Sequence, residues 1–502
     1  MNNKAKEIQE RNTRVIKGFP YFVLREENIE HYKEYIDELA QIKTNYIDYK
    51  KGAVFYTEGS SGDYIPSDLK FKIAKTLIDK EARFMFSQTP DILIHSDDVG
   101  ENETKIEQEY QTFINKVLTN NKFSKYLLQS AKDCLIGKRV ACLVDYSETD
   151  GVLLHFYNSL QFYYETEFGT EKVTKFISFE RKNKQYQNNN DDLLVNKYEI
   201  ENDKVYYSCM LYTGSGINRR VEELIARKEI GLKYIPVQVI TNEETLDDDR
   251  GVSEIESLIS YESAYSRLAN GDIDSERKGM NPIRYVVDMN SKTTQNLNSG
   301  AGSFWDLKTE QSQNNVNAMV GTLSPSLNHT EPVKATLDRI KNSMYSEVDV
   351  PNISEETMAG TITSGKALKA LYYPLQVRCN EKLIYWKSAI ENIVRTIVDI
   401  GILNREEVIE RYMIKDLLSL QYKVEVSENF ALFDDETEEK ETDLQEINTN
   451  TRSRKSYIKK WRSNEFETDE KIEEELLQIA KENNMFDTMS MNTNVQNNLE
   501  ET

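Results

Sequence analysis

Between Thr330 and Gly401 the chain commits to a short striped helix, an irregular loop and one long helix. Val333, Leu337, Ile340 and Met344 are spaced four, three and four residues apart, which places them on one helix face. Tyr345–Ser364 cannot continue that helix, because Pro351, Gly360 and many Ser, Thr and Asn residues interrupt the backbone ladder. After Gly365 the stripe resumes at Leu368, Leu371 and Leu375, then runs through Leu383, Trp386, Ile390, Ile393, Ile397 and Ile400. A helix of about 35 residues would be ~50 Å long at 1.5 Å per residue, well beyond the usual length. Pro374 falls inside it and predicts a kink, since proline removes one backbone donor and crowds the preceding turn. Such a helix is a strut. The loop ahead of it is either a slack connection or a segment held out deliberately.

Gly360-Thr-Ile-Thr-Ser-Gly365-Lys366 matches the phosphate-binding loop pattern up to its last position, where Ala367 replaces the Ser or Thr that would hold magnesium. The pattern also needs a buried strand ahead of it. Pro351-Asn-Ile-Ser-Glu-Glu-Thr-Met358, with a proline and two acidic residues, is a poor strand. The segment reads instead as the start of a helix, with Ser364 as its N-cap.

At 502 residues the chain is long enough for several cores. A net charge of −22 argues against a surface built to coat nucleic acid, which needs clustered Lys and Arg. It does not argue against a wall that DNA slides past without sticking. Cys134, Cys142, Cys209 and Cys379 are scattered and form no ligand-spaced pair, which points to reduced thiols in a cytosolic setting. Met1-Asn-Asn-Lys-Ala-Lys6 predicts no secretory leader, and no window is apolar enough to span a membrane.

In chain order, residues 1–50 read as charged helix, Phe71–Phe86 as an amphipathic helix stopped by Pro90, and about 105–136 as a further helical stretch. Past Gly137 the period changes. Val140–Tyr146, Val152–Tyr157, Phe162–Thr166, Val173–Glu180, Leu194–Ile200 and Val205–Leu211 are strand-like runs separated by turn residues, an antiparallel meander or small sandwich. Ile235–Ile240 closes this part. A charged loop, Asn242–Gly251, precedes a helix with Ile255, Leu258, Ile259, Tyr265 and Leu268 at helical spacing. Residues 279–329 form a polar insert too long for an ordinary connection, with a strand-like Pro282–Val287 and an aromatic pair, Phe304 and Trp305. Tyr422–Val426 alternates like a strand, the acidic run Phe433–Asp443 reads as a solvated linker, and residues 487–502 as a disordered tail.

This order of weak motifs resembles the portal, or head–tail connector, proteins of tailed double-stranded DNA bacteriophages of the long-tailed type. The resemblance rests on Phe71–Pro90; on Ile235-Pro-Val with Asn242-Glu-Glu, Arg250-Gly251 and Ile255; on Ile353, Gly360 and Ser364–Leu368; and on Val424–Asn429 with Thr449–Trp461. Glu243 stands where the family often has a second Asn. The resemblance implies an α+β fold, mostly helical with a small antiparallel β region, assembled as a homo-oligomeric ring, commonly twelve-fold, around a channel for DNA. It divides the chain into a wing (1–252), a stem helix (253–278), a clip (279–329), a second stem helix (330–345), a tunnel loop (346–363), a wing helix and strand (364–444), a crown (445–486) and the tail.

The same resemblance implies that Val348, Asp349, Val350, Pro351 and Asn352 lie at or near the narrowest point of the channel, and that Phe304 and Trp305 belong to the docking surface. Lys334, Arg339 and Lys341 would form weak basic rings toward passing phosphates or, equally, a solvated face or intersubunit ion pairs. The implied partners are double-stranded DNA read without regard to sequence, the terminase large subunit, a head–tail adaptor, and the major capsid and scaffolding proteins. The implied place is a capsid vertex of the virion, reached through the host cytoplasm. No cofactor, metal or catalytic group is expected. His31, His95, His155 and His329 lie far apart, and Asp247-Asp-Asp249 reads as a solvated run. Two other classes compete: a helical scaffold or adaptor without a channel, and a nucleotide-dependent enzyme resting on Gly360–Lys366 alone.

Overall fold

The computed structural model describes residues 32–53, 66–96, 101–167, 169–181, 192–213, 220–245, 250–280, 283–287, 319–323, 330–353, 365–415, 417, 421–430, 436–449, 451–462, 471–479 and 481. The architecture is α+β, mostly helical with small antiparallel sheets. Two compact units share the chain: Met1–Asn352 with Tyr373–Ala431, and Ile353–Tyr372 with Leu432–Thr502.

In the first unit, helix α1 (Tyr32–Lys51) carries Glu34 in its first turn and Lys50 and Lys51 in its last, the charge placement that suits a helix dipole. Its Ile36, Leu39 and Ala40 pack against Ile177, Phe179, Leu193, Val195 and Tyr212 of a five-stranded sheet. Each large apolar side chain buried this way contributes about 2 kcal/mol. Helix α2 (Ile73–Phe86) buries the stripe Leu77, Ile78, Ala82 and Met85. Strand β1 (Asp91–Ser96) follows Pro90 directly.

The helical stretch expected over 105–136 is two helices, α3 (Glu101–Asn120) and α4 (Phe123–Gly137). The break lies at Asn121-Lys122, where Lys122 adopts a left-handed φ of 52°. Asn121 then bonds across to the sheet: its Nδ2 donates to the Val117 and Val152 carbonyls at 2.9 and 2.8 Å, and its Oδ1 accepts from Leu154 N–H at 2.9 Å.

Strands β2 (Arg139–Ser147), β3 (Gly151–Asn158), β4 (Phe162–Thr166), β5 (Val173–Arg181), β6 (Leu193–Glu201) and β7 (Lys204–Thr213) occupy the six runs read from the sequence. Strand β8 (Arg220–Ile230) was not legible, because its residues are exposed on both faces and mostly charged. With β9 (Val237–Thr241) the strands form two antiparallel sheets, β3-β2-β9 and the meander β4-β5-β6-β7-β8. One core joins them, built from Ala141, Leu143, Ile235 and Val237 on one side and Phe162, Phe176, Tyr198 and Val205 on the other.

Helix α5 (Glu254–Met280) leads to strand β10 (Ile283–Val287), which pairs antiparallel with β11 (Met319–Leu323) ahead of helix α6 (Thr330–Glu347). Pro332 sits in the first turn of α6, where a missing N–H costs nothing. Helix α7 (Gly365–Leu403) spans 39 residues and includes Pro374. Leu375, Cys379, Leu383, Trp386, Ile390, Ile393 and Ile397 are its buried stripe. Helix α8 (Arg405–Tyr412) follows, and β12 (Tyr422–Ser427) closes the unit by pairing with β1, Asp91 opposite Ser427 and Ser96 opposite Tyr422.

In the second unit the acidic run is no linker. From Glu436 it is helix α9 (Glu436–Asn448), packed on α10 (Arg454–Trp461). The joint is Asp443, which is buried and accepts from Trp461 Nε1 at 2.6 Å, from Lys460 at 3.2 Å and from Arg452. Burial alone would raise its carboxyl pKa; the bonds from Trp461, Lys460 and Arg452 hold it below the ordinary value. Residues 487–502 lie outside the described residues.

Candidate functional site

The helix pair α5/α6 and the turn that leaves it carry the positions singled out in the sequence. The loop before α5 is a close fit. Asn242 N–H donates to the Lys138 carbonyl at 2.7 Å, and Asn242 accepts from Val252 N–H at 2.7 Å. Gly251 has φ +80°, and a Cβ there would lie 2.7 Å from the Lys138 carbonyl oxygen, so only glycine fits. Further along α5, the buried Glu262 accepts from Ala53 and Ala74 N–H, each at 2.8 Å. It thereby caps α2, whose own Lys72 offers no side-chain cap. Asn270 bonds both backbone groups of Leu69, at 2.8 and 3.0 Å, and Asp274 accepts from Ser67 N–H at 2.9 Å.

The end of α6 is a Schellman motif. Val350 N–H reaches the Tyr345 carbonyl at 3.0 Å, Asp349 N–H reaches that of Ser346 at 3.4 Å, and Asp349 takes the left-handed position with φ 52°. Asn352 Nδ2 donates back to Asn342 Oδ1 at 2.7 Å. This geometry sorts the five residues expected at a constriction. Val348 and Val350 turn inward and are 0% and 4% exposed, so their side chains face the subunit's own core. Asp349 and Asn352 are exposed, and Pro351 is half-buried.

The three basic residues of α6 do not gather on one face. Lys334 and Lys341 are seven residues apart and share a side; Arg339 lies on another. Arg339 and Asp338 line an open groove of about 630 Å3 opposite Tyr261 of α5. Lys341 neighbours Lys80 of α2, whose ammonium lies 5.1 Å from the Tyr345 ring centre. Burial first, and then the charge of Lys341, lower the Lys80 pKa.

Where α2, α5 and α7 converge, four charged side chains are enclosed, a feature missed in the sequence. Lys382 Nζ is 2.6 Å from Glu81 Oε1 and also bonds Glu254. Arg378 grips Glu254 with contacts of 2.9 and 2.8 Å and meets Glu81 at 3.3 Å. Glu243 approaches both cations at 3.4 Å. Glu81 is fully buried, and its Oε2 has no hydrogen-bond partner among the described residues. Burial opposes ionisation of both carboxyls. Lys382 and Arg378 overcome it at Glu254, whose pKa is lowered, but not at Glu81, whose pKa is raised. A signal existed in the sequence. Glu81 falls four residues after Leu77, and Lys382 three after Cys379, so both sit on the apolar stripes of their helices.

Phe304, Trp305, Asp247–Asp249 and Gly360–Ser364 lie outside the described residues. Among the described residues no group of three His, Cys, Asp or Glu could hold a metal ion, and no helix is long and apolar enough to cross a membrane.

No curated protein matches this chain. A solved structure described as "Neck of empty GTA particle computed with C6 symmetry" is similar at 8% identity and a TM-score of 0.44, covering 77% of this chain and 88% of that one. The family described as "Phage portal protein, SPP1 Gp6-like" matches residues 26–488, nearly the whole chain, and so takes in the β sandwich, both helices of the α5/α6 pair, α7 and the α9/α10 unit. The chain therefore belongs to the phage portal protein family.

Proposed function

We propose that copies of this chain close into a ring, commonly twelve-fold in such proteins, at one vertex of a phage capsid. Double-stranded DNA enters and leaves through its channel. The packaging motor, and later the head–tail adaptor, dock on residues 279–329. Family membership supports the portal role. The observation that carries the finer reading is the hairpin of α5 and α6, with the β10/β11 ribbon emerging where one helix ends and the other begins. A packed helix pair suits a channel wall, and a ribbon beyond its end suits a docking element. A head-to-tail ring uses heterologous contacts that close at a fixed rotation per subunit.

In this reading residues 346–363 are the loop beside the DNA. Its exposed described positions, Ser346, Glu347, Asp349 and Asn352, are acidic or neutral. They favour loose, sequence-blind passage over tight phosphate binding. Lys334 and Arg339, both exposed, supply what weak attraction there is. Negative-stain images of the purified protein test the ring: annuli with a central hole are expected, and monomers or rods at every concentration would overturn it. Deleting residues 354–363 is expected to leave the rings intact and reduce the DNA packaged per particle.

A further inference from the structure

Arg378 of α7 contacts four segments at once. One terminal nitrogen holds both carboxylate oxygens of Glu254, in the first turn of α5, and lies 3.4 Å from Glu243 in the preceding loop. Its Nε donates to Glu81 of α2 at 3.3 Å. The other terminal nitrogen reaches the end of α6, donating to the Glu347 carbonyl at 3.4 Å with Asp349 Oδ2 at 4.0 Å. Lys382, one turn further along α7, shares Glu81, Glu243 and Glu254 with it but has no such contact with α6.

The division of labour follows from shape. A guanidinium presents five donors in a rigid fork, so it can satisfy a buried carboxylate and still reach a carbonyl on its far side. An ammonium is a compact point charge without that reach. With Lys382 also pairing Glu81 and Glu254, the outward nitrogen of Arg378 is left for Glu347 and Asp349.

We propose that Arg378 is the positioning residue for the turn Val348–Asn352. It ties the exit of α6 to α5 and α2, and the turn shifts only when the contacts to Glu347 and Asp349 open while the grip on Glu254 holds. The functional weight of this joint rests on reading residues 346–363 as the channel loop, since the turn sets where that loop begins. The joint itself does not depend on that reading.

Hydrogen–deuterium exchange on the full-length assembled protein tests it, comparing Arg378→Lys and Asp349→Asn with the parent. Lysine keeps the charge beside Glu254 and loses the fork. Asparagine keeps the tolerance for left-handed backbone and loses the carboxylate. For Arg378→Lys, exchange in a peptide covering Val348–Asn352 is expected to rise about tenfold, with α2 and α5 peptides nearly unchanged. Asp349→Asn should raise the same peptide by a smaller factor. An unchanged turn in either variant, or a uniform rise across α2, α5 and the turn, overturns the proposal. If Arg378→Lys does not fold, Asp349→Asn alone decides. Images of the same samples score ring formation separately, so failure of the portal reading is distinguishable from failure of this one.

Discussion

Arg139 of β2 and Glu38 of α1 face each other through two parallel hydrogen bonds of 2.9 Å, with the arginine 3% and the glutamate 12% exposed. The same guanidinium donates to the Arg250 carbonyl at 3.1 Å and lies 5.7 Å from the Tyr164 ring centre. This one side chain joins the first helix, the central strand and the loop before α5. Arg139→Met should therefore cost about 3–5 kcal/mol by stranding a buried carboxylate, read as a lower urea midpoint. Adding Glu38→Leu should recover much of the loss, and a double variant no better than the single one would refute the pairing.

The enclosed cluster predicts an unequal pair. Glu254 is fully engaged, while Glu81 has one oxygen without a partner. Glu254→Gln should cost about 3–5 kcal/mol, and Glu81→Gln about 1 kcal/mol or less. Equal losses in denaturant midpoint would show that the two carboxylates contribute alike.

Asp48 of α1 gives a pH signature. Burial, followed by the nearby Glu262 carboxylate, raises its pKa from 3.8 to about 6. Because the folded value is the higher one, protonation favours the fold. Its stabilisation is complete below the ordinary carboxylate value and is lost as pH rises through about 6. Asp48→Asn should raise stability at pH 7.5 by about 1 kcal/mol, with the gain fading toward pH 4. Thermal midpoints at the two pH values check this, and a pH-independent gain would refute it.

Trp305 tests the docking surface proposed for residues 279–329. Large aromatic residues dominate interface energies, so Trp305→Ala should weaken binding of the packaging motor or adaptor by about 2 kcal/mol, roughly thirtyfold, with rings still forming. Surface-immobilised rings measure this directly, and unchanged binding would remove Trp305 from that surface.

Sequence reasoning located elements wherever apolar spacing was regular. The stripes of α2, α6 and α7 are examples, because burial on one face leaves a periodic trace. Strands β2–β7 were legible instead as short apolar runs between turn residues, and β2 is buried along its first six residues. Sequence reasoning missed β8, whose residues from Arg220 to Ile230 are solvated on both faces and so carry no such trace. It joined α3 to α4 because the left-handed break at Lys122 is taken by a residue without turn chemistry. The acidic run hid α9, since Asp443 becomes a buried acceptor only once Arg452, Lys460 and Trp461 close around it. The charged cluster was written into the apolar stripes as Glu81 and Lys382, but pairing them required residues some 300 positions apart to meet.

Strand β1 has its partner about 330 residues downstream, in β12. At roughly 5–20 residues per second, the ribosome needs on the order of 15–65 s to deliver it. Through that interval the nascent chain carries Ile92 and Ile94 on an unpaired ribbon, an invitation to chaperones and to neighbouring polysomes alike. Yield should therefore respond to elongation rate and growth temperature more sharply than the stability of the finished fold would suggest.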